Sequence, residues 1–282
     1  MPLTLDTYRL LGRSGLRVSP LALGTATFGT EWGWGAEPDD VRKLFDTYVG
    51  RGGNFIDTAG TYTDGSSERL LGEFTRDNRE SLVLATKCTT LSRPGRARSC
   101  TWRFPTFRRG WSAIVALQIE YSLVERTGER DLIPMARELG LGVVPYLPLA
   151  SRVLTGKYRR DDGSGESTRR SFNADLGLVT ERNLAIADVV QEVAAELECT
   201  PPAQVALAWT LRNPGVTAPI IGARTTAQLE DNLGALAVAF SPAQLARLDE
   251  VSAIDPGYPH ALLASDHIGK VTTGDLKIDS RR

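Results

Sequence analysis

Residues 54–62 read Asn-Phe-Ile-Asp-Thr-Ala-Gly-Thr-Tyr, and the order of these residues decides the fold. Phe55 and Ile56 begin a short apolar run of the kind that forms a buried strand, and Asp57 stands where that run ends. Gly60 marks a loop, and Tyr62 lies five residues beyond Asp57. Ser66 or Ser67 then offers an N-cap for a helix carrying Leu70, Leu71 and Phe74 on one face. Strand, polar loop and helix in this order make up a βα unit. A parallel α/β sheet places its chemistry on such polar residues at the carboxyl ends of its strands.

The same rhythm extends in both directions. Upstream, residues 18–28 hold a first buried strand closing on Gly24-Thr25-Ala26. Residues 38–49 read as a helix, with Pro38 in its first turn, Asp39 and Asp40 at its positive end, and Val41, Leu44, Phe45 and Tyr48 as its buried stripe. Downstream, residues 81–87 form a third strand, ending in Lys87. Further strands are expected at 114–119, 142–145 and 217–221. Helices are expected at 132–139, 181–198, 202–212, 226–236 and 242–252, the last opened by Ser241-Pro242. Residues 159–171, charged and rich in Gly and Ser, read as a mobile surface loop, and the tail from Asp255 as a polar wrap.

This pattern predicts one α/β domain spanning residues 1–282, a (β/α) barrel of the TIM type. Such a barrel needs eight strands and about 250 residues. The sequence supplies six strands, and the shortfall falls between Lys87 and Gln118.

Composition narrows the function. The chain has 282 residues, 41% hydrophobic and 24% charged, which is ample for a core. Lys and Arg number 33 against 34 Asp and Glu, a net charge of −1 that removes the global case for a nucleic-acid binder. No apolar run approaches the roughly 18–20 residues of a membrane span, and residues 1–10 lack a secretory pattern. Three scattered cysteines suit neither a disulfide framework nor a zinc site, so no metal is expected and a cytoplasmic setting is.

Asp57, Tyr62 and Lys87 form a chemical constellation. A lysine beside a phenol favours the phenolate, an Asp holds the lysine there, and the phenol can then act as a general acid toward a carbonyl oxygen. The residues alone equally allow a buried ion pair that only ties two strands.

Six strings carry a resemblance: GTATFG at 24–29, NFIDTAGTYTDGSSERLLGE at 54–73, LATK at 84–87, ALQIEYSLVER at 116–126, VPYLPLASRVLTGKY at 144–158 and PIIGARTTAQLEDNLGAL at 219–236. Together they resemble the aldo-keto reductase family over most of the chain. The resemblance implies an eight-stranded barrel that binds NADP(H) and reduces an aldehyde or ketone. Tyr62 would be the proton donor, tuned by Asp57 and Lys87. Gly24, Thr25 and Ala26 would line the nicotinamide, Gln118 would contact its carboxamide, and Tyr146 would stack on its face. Leu149 falls in the loop that follows. Gly222, Ala223, Arg224, Gln228, Asp231 and Asn232 would hold the adenosine 2′-phosphate and adenine. Independently, a guanidinium at the start of a helix favours a phosphate, although a surface arginine would read the same way.

The sequence departs from that family in several places. The family's catalytic His is absent, since His260 and His267 both lie near the end of the chain. The Ser-Asn pair that grips the nicotinamide amide is also absent. Only 31 positions separate Lys87 from Gln118, where the family fits two further strand–helix units. The barrel is therefore expected to lack two of its eight units. An irregular bridge at about 92–110 takes their place, with six arginines and no acid between residues 93 and 109, interleaved with Trp102, Phe104 and Phe107. Arg and aromatic residues together also suit single-stranded nucleic acid. A plain bridging loop and the product of a frame change are the other readings. Leu147 stands where the family usually has a Ser facing the pyrophosphate, and Arg152 where it has a small residue.

Closure is expected by direct pairing of 82–87 with 114–119, by cover from 97–109, or by a second copy in a homodimer. Two rival functions remain: a catalytically degenerate NADP-binding or partner-binding barrel, and a cyclase or dehydratase on the same scaffold.

Overall fold

A computed structural model describes residues 3–87, 114–156, 177–197 and 200–263, with residues 265, 268 and 271. It opens with a hairpin of two-residue strands, β1 (Arg9–Leu10) and β2 (Arg17–Val18), paired antiparallel. Strand β3 (Ala22–Gly24), helix α1 (Pro38–Gly50), strand β4 (Phe55–Asp57), helix α2 (Ser66–Phe74) and strand β5 (Val83–Ala85) follow in alternation. After the stretch from 88 to 113 come β6 (Ala116–Glu120), α3 (Leu132–Leu139) and β7 (Gly142–Tyr146). The described chain continues with α4 (Glu181–Glu196), α5 (Pro202–Arg212), β8 (Ile220–Gly222), α6 (Thr226–Leu233), α7 (Pro242–Val251) and the single turn α8 (His260–Leu263).

Six strands thus run parallel in the α/β pattern that the sequence predicts. They form a four-stranded sheet in the order β5-β4-β3-β8 and a two-stranded sheet β6-β7. An isolated parallel bridge between Val143 and Val216, just ahead of β8, joins the two sheets, and the Thr217 N–H donates to the Val143 carbonyl at 2.8 Å. The strand order β5-β4-β3-β8-β7-β6 is therefore continuous. Its inner face is apolar: Ala22, Phe55, Val144 and Ala218 pack together, with Val83, Ala85, Ala116 and Ile220 against them. Among the described residues no ladder joins β5 to β6, and the barrel is not closed. The expected direct pairing of these two strands does not occur. Residues 97–109, offered as an alternative cover, lie outside the described residues, as does the loop at 159–171.

The helices cover the outer face, and Tyr48 shows how. Its ring is buried in α1 and its hydroxyl donates between the carbonyls of Leu21 and Phe55, each 2.8 Å away, pinning the helix to two strands. Burial pushes the phenol pKa up, so this tyrosine stays protonated. A side chain at Gly53 would put its Cβ 2.5 Å from that ring, which explains the glycine.

Two local expectations are corrected. Neither Ser66 nor Ser67 caps α2; Gly65 precedes the helix with φ +94°, and Ser67 turns its hydroxyl inward to Thr25. The first strand is three residues long, not eleven, because the chain turns at Thr25, whose carbonyl accepts from the Phe28 N–H at 3.0 Å. At α7 the expectation holds, with a complete capping box between Ser241 and Gln244. Among the described residues no helix is long and apolar enough to cross a membrane.

Candidate active site

Asp57 is the last residue of β4, and its side chain is nearly buried. A carboxylate taken out of water needs partners on both oxygens. It has them: the Lys87 Nζ donates to Oδ2 at 2.6 Å, and the Gln118 Nε2 donates to Oδ1 at 2.8 Å. Lys87 follows the end of β5 and donates a second hydrogen to the Thr58 carbonyl at 3.0 Å. Its ammonium lies over the Tyr62 ring, 4.9 Å from the ring centre. The three residues singled out from the sequence therefore meet at the carboxyl ends of the strands.

Tyr62 stands on a turn that is built to stay in place. Its N–H donates to the Ala59 carbonyl. The next two residues, Thr63 and Asp64, have φ of +47° and +53°, which side chains rarely adopt. Thr63 is fully buried, donates to the Phe28 carbonyl at 2.6 Å and accepts from the Ser67 N–H. Ser67 in turn donates to the Thr25 Oγ1 at 2.7 Å, and Thr25 donates to the Asp57 carbonyl at 3.0 Å. This network links the Tyr62 turn to the backbone of the Asp57 strand. Trp32 packs edge-on against Tyr62 with ring centres 6.1 Å apart, and Trp34 lies behind Trp32. Glu31, in the same loop, accepts from the Ser66 hydroxyl, a bond that holds its carboxyl below the usual range.

The residues assigned to the cofactor divide into two groups. Gly24 and Thr25 are committed to the fold. A Cβ at Gly24 would lie 2.6 Å from Ile220 Cγ2, and Thr25 is wholly buried in the network just described. Ala26 is half-exposed beyond them. Gln118 reaches Asp57, as described. Tyr146 ends β7 with 40% of its surface open, opposite Glu120 in register, and burial together with Glu120 and Glu125 raises its pKa. Glu120 itself is held above the usual carboxyl range, first by burial and then by Glu125. Leu149 is partly buried and packs against both large cores. Around it Leu147, Ala150, Ser151 and Arg152 all have positive φ, between +45° and +81°. Such conformations cost on the order of 1–3 kcal/mol each and gather at ligand sites.

At the end of β8, Gly222 is exposed, with open space where a side chain would be. Arg224 precedes α6, and its buried Nε has no hydrogen-bond partner among the described residues. Thr225 caps α6 by accepting from the Gln228 N–H, while the Gln228 Oε1 accepts from the Arg224 N–H. Ala223 is buried, Asn232 is buried and donates to the Gly222 carbonyl at 3.3 Å, and Asp231 is exposed. An orphaned guanidinium nitrogen at a helix start, beside an open glycine, fits a phosphate.

The sequence reading missed the Gln118–Asp57 contact and the Thr25–Ser67–Thr63 network. Neither has a local signal, because both depend on how distant segments meet. His260 lies outside the site and pairs with Asp131 at 3.0 Å. His267 is outside the described residues.

Comparisons with known proteins give the family. A family model described as the aldo/keto reductase family matches residues 20–105 and 97–253. The chain belongs to that family. It is 29% identical to an uncharacterized oxidoreductase, YrpG, of Bacillus subtilis, over 86% of this chain and 95% of that protein. It is 26% identical to an aryl-alcohol dehydrogenase (NADP(+)) of Phanerodontia chrysosporium, over 93% of this chain and 90% of that protein. A norsolorinic acid reductase of Aspergillus flavus is also 26% identical, over 92% and 84%. The first alignment runs over 321 positions, which 86% of 282 residues cannot fill. The relative therefore carries residues inside the aligned span that this chain lacks.

Proposed function

We propose that the protein is an NADP(H)-dependent oxidoreductase that reduces an aldehyde or ketone, with Tyr62 as proton donor. Membership of the family and the oxidoreductase relatives support a carbonyl-reducing enzyme. The observation that carries the finer reading is the Lys87 ammonium, held by Asp57 at 2.6 Å and lying over the Tyr62 ring. The orphaned Nε of Arg224 beside Gly222 supports NADP(H), whose extra phosphate it would hold. Tyr146 and the strained loop from Leu147 to Arg152 would flank the rest of the cofactor. When bound, that cofactor supplies the hydride.

The chain's own residues handle the proton. As the carbonyl carbon gains the hydride and its electron pair, negative charge develops on the carbonyl oxygen. Tyr62 gives that oxygen its phenolic proton, and the alcohol is complete. The Lys87 ammonium, over the ring at 4.9 Å from its centre, favours the phenolate left behind, and two acceptors, Asp57 and Thr58, keep that ammonium in place. A positioned general acid of this kind is worth about 10²–10⁴-fold in rate. Trp32, edge-on to Tyr62, puts aromatic surface beside the proton donor, and a relative named as an aryl-alcohol dehydrogenase points the same way, so an aryl aldehyde is the substrate class we assign.

The six-stranded arc, with no ladder between β5 and β6 among the described residues, supports a barrel shortened by two strand–helix units. The split family match and the unfilled alignment positions support this too. One observation favours a second reading, a non-catalytic NADP-binding protein: no histidine among the described residues lies at the site, and His260 is on Asp131 instead.

Tyr62→Phe distinguishes the two. On the first reading it removes carbonyl-dependent NADPH oxidation and leaves NADPH binding intact. Undiminished turnover in that variant refutes the role of Tyr62. NADPH binding by the wild type without turnover of any carbonyl favours the second reading.

A further inference from the structure

We infer that Gln118 is a positioning residue for the proton-donor cluster, fixing the Asp57 carboxylate so that Lys87 stays against Tyr62. The inference rests on the reading of Tyr62 as proton donor and gives Gln118 a role beside the carboxamide contact that family resemblance implies, since only its Nε2 is used on Asp57. Gln118 sits opposite Val144 in the β6–β7 ladder. Ala116, two residues before it on the same strand face, packs with Val144 and Phe55 inside the sheet. The side chain at 118 therefore points to the interior, and its amide donates to Asp57 Oδ1 at 2.8 Å. The other carboxylate oxygen, Oδ2, is taken by Lys87. A carboxylate with one oxygen unpaired would turn to find a donor, and the ammonium would move with it. The neutral amide satisfies Oδ1 without competing for the charge of Asp57. A basic residue there would draw Asp57 away from Lys87, and an acidic one would repel it. The contact also crosses from the two-stranded sheet to the four-stranded one. β6 must therefore come close enough for Gln118 to reach β4.

The test compares wild type, Tyr62→Phe, Gln118→Leu and Gln118→Glu. NADPH affinity is read from tryptophan fluorescence, and kcat and KM are read with p-nitrobenzaldehyde across pH. Circular dichroism verifies folding. Gln118→Leu is expected to lower kcat tenfold or more, part of the roughly 10²–10⁴-fold that a positioned acid supplies. The loss should persist at saturating NADPH, where any weakening of cofactor binding no longer limits the rate, which marks an interaction made in the transition state. Gln118→Glu should be nearly inactive at neutral pH and recover as pH falls, because a protonated Glu can donate to Asp57 and an ionised one cannot. Circular dichroism across the same pH range separates this recovery from refolding: a merely structural role would show the fold lost at neutral pH and regained with the activity. If Gln118→Leu does not fold, the pH profile of Gln118→Glu decides alone. Unchanged kcat with weakened NADPH binding in Gln118→Leu, or a Gln118→Glu profile without acid recovery, overturns the positioning role. These failures differ from failure of the underlying reading, which would appear as full turnover in Tyr62→Phe or as a wild type that oxidises NADPH with no carbonyl.

Discussion

Strands β3 and β4, inside the four-stranded sheet, are buried at every residue, whereas β5 and β6, the end strands of the described arc, are half-buried along most of their length. Asp57 belongs to the inner pair, while Lys87 and Gln118 come from the border pair. The candidate site is thus assembled from half-buried end strands around a carboxylate fixed in a fully buried one. On the proposed function, burial favours the inner strands as the source of stability and the border strands as the source of the proton donor's partners. Changes on either side of this division should therefore separate rate from stability.

The largest expected effect is at Lys87, where both consequences coincide. Lys87→Met should lower kcat by about 10²-fold or more, the share of a positioned general acid. It should also destabilise the fold by about 2 kcal/mol, less than the 3–5 kcal/mol of a fully buried broken pair because Lys87 is 31% exposed. Steady-state kinetics and urea unfolding read the two effects separately. Equal stability with lost rate would place all of the effect in catalysis. Next comes a pure stability contrast. Leu23→Ala in β3, at 0% exposure, should cost about 3 kcal/mol, while Leu84→Ala in the half-buried β5 should cost about 1 kcal/mol. Equal midpoint shifts in urea would erase the division between inner and border strands.

A smaller effect is expected at the outer end of β8. Arg224→Ala should weaken NADPH binding about tenfold and leave NADH binding nearly unchanged, the worth of one charge-assisted contact to phosphate. Fluorescence titration with both nucleotides measures this, and equal losses for the two would remove the phosphate from Arg224. The smallest effect concerns Glu120 on β6. Its folded pKa is raised by burial and by Glu125. A carboxyl raised in this way adds to stability while it is protonated, and the contribution fades as pH rises from the ordinary value of 4.5 through its folded value. Glu120→Gln should therefore raise the melting temperature at neutral pH and change nothing below about pH 4. The same gain at both pH values would assign the effect to something other than ionisation.

Much of this architecture is legible in the sequence because it rests on local signals. Helix α3 is bounded at 132 and 139 as its periodicity requires, and α7 announces itself through Ser241, Pro242 and Gln244. Asp57, Tyr62 and Lys87 stand just past apolar runs, and the fold turns those positions into strand ends facing one another. What stays hidden depends on distant contacts. The hairpin β1–β2 has two residues per strand, too few for any period to show. Thr25 looks like a ligand-facing residue beside Gly24 but is consumed by Ser67 and the Asp57 backbone. The backbone offers a further pattern. Among the described residues, every non-glycine residue with positive φ lies in one of two loops, 63–64 after Tyr62 and 147–152 after Tyr146. Strain is held at the carboxyl ends of the strands, where the site is, and the side-chain types alone give no sign of it.

The most direct test of the central claim is NADPH oxidation followed with p-nitrobenzaldehyde, wild type against Tyr62→Phe, with NADPH affinity measured on both proteins. The account predicts aldehyde-dependent oxidation in the wild type, its loss by at least about 10²-fold in the variant, and equal NADPH affinity in the two. Turnover that survives in Tyr62→Phe, or a wild type that binds NADPH and oxidises none of it with any carbonyl, would contradict it.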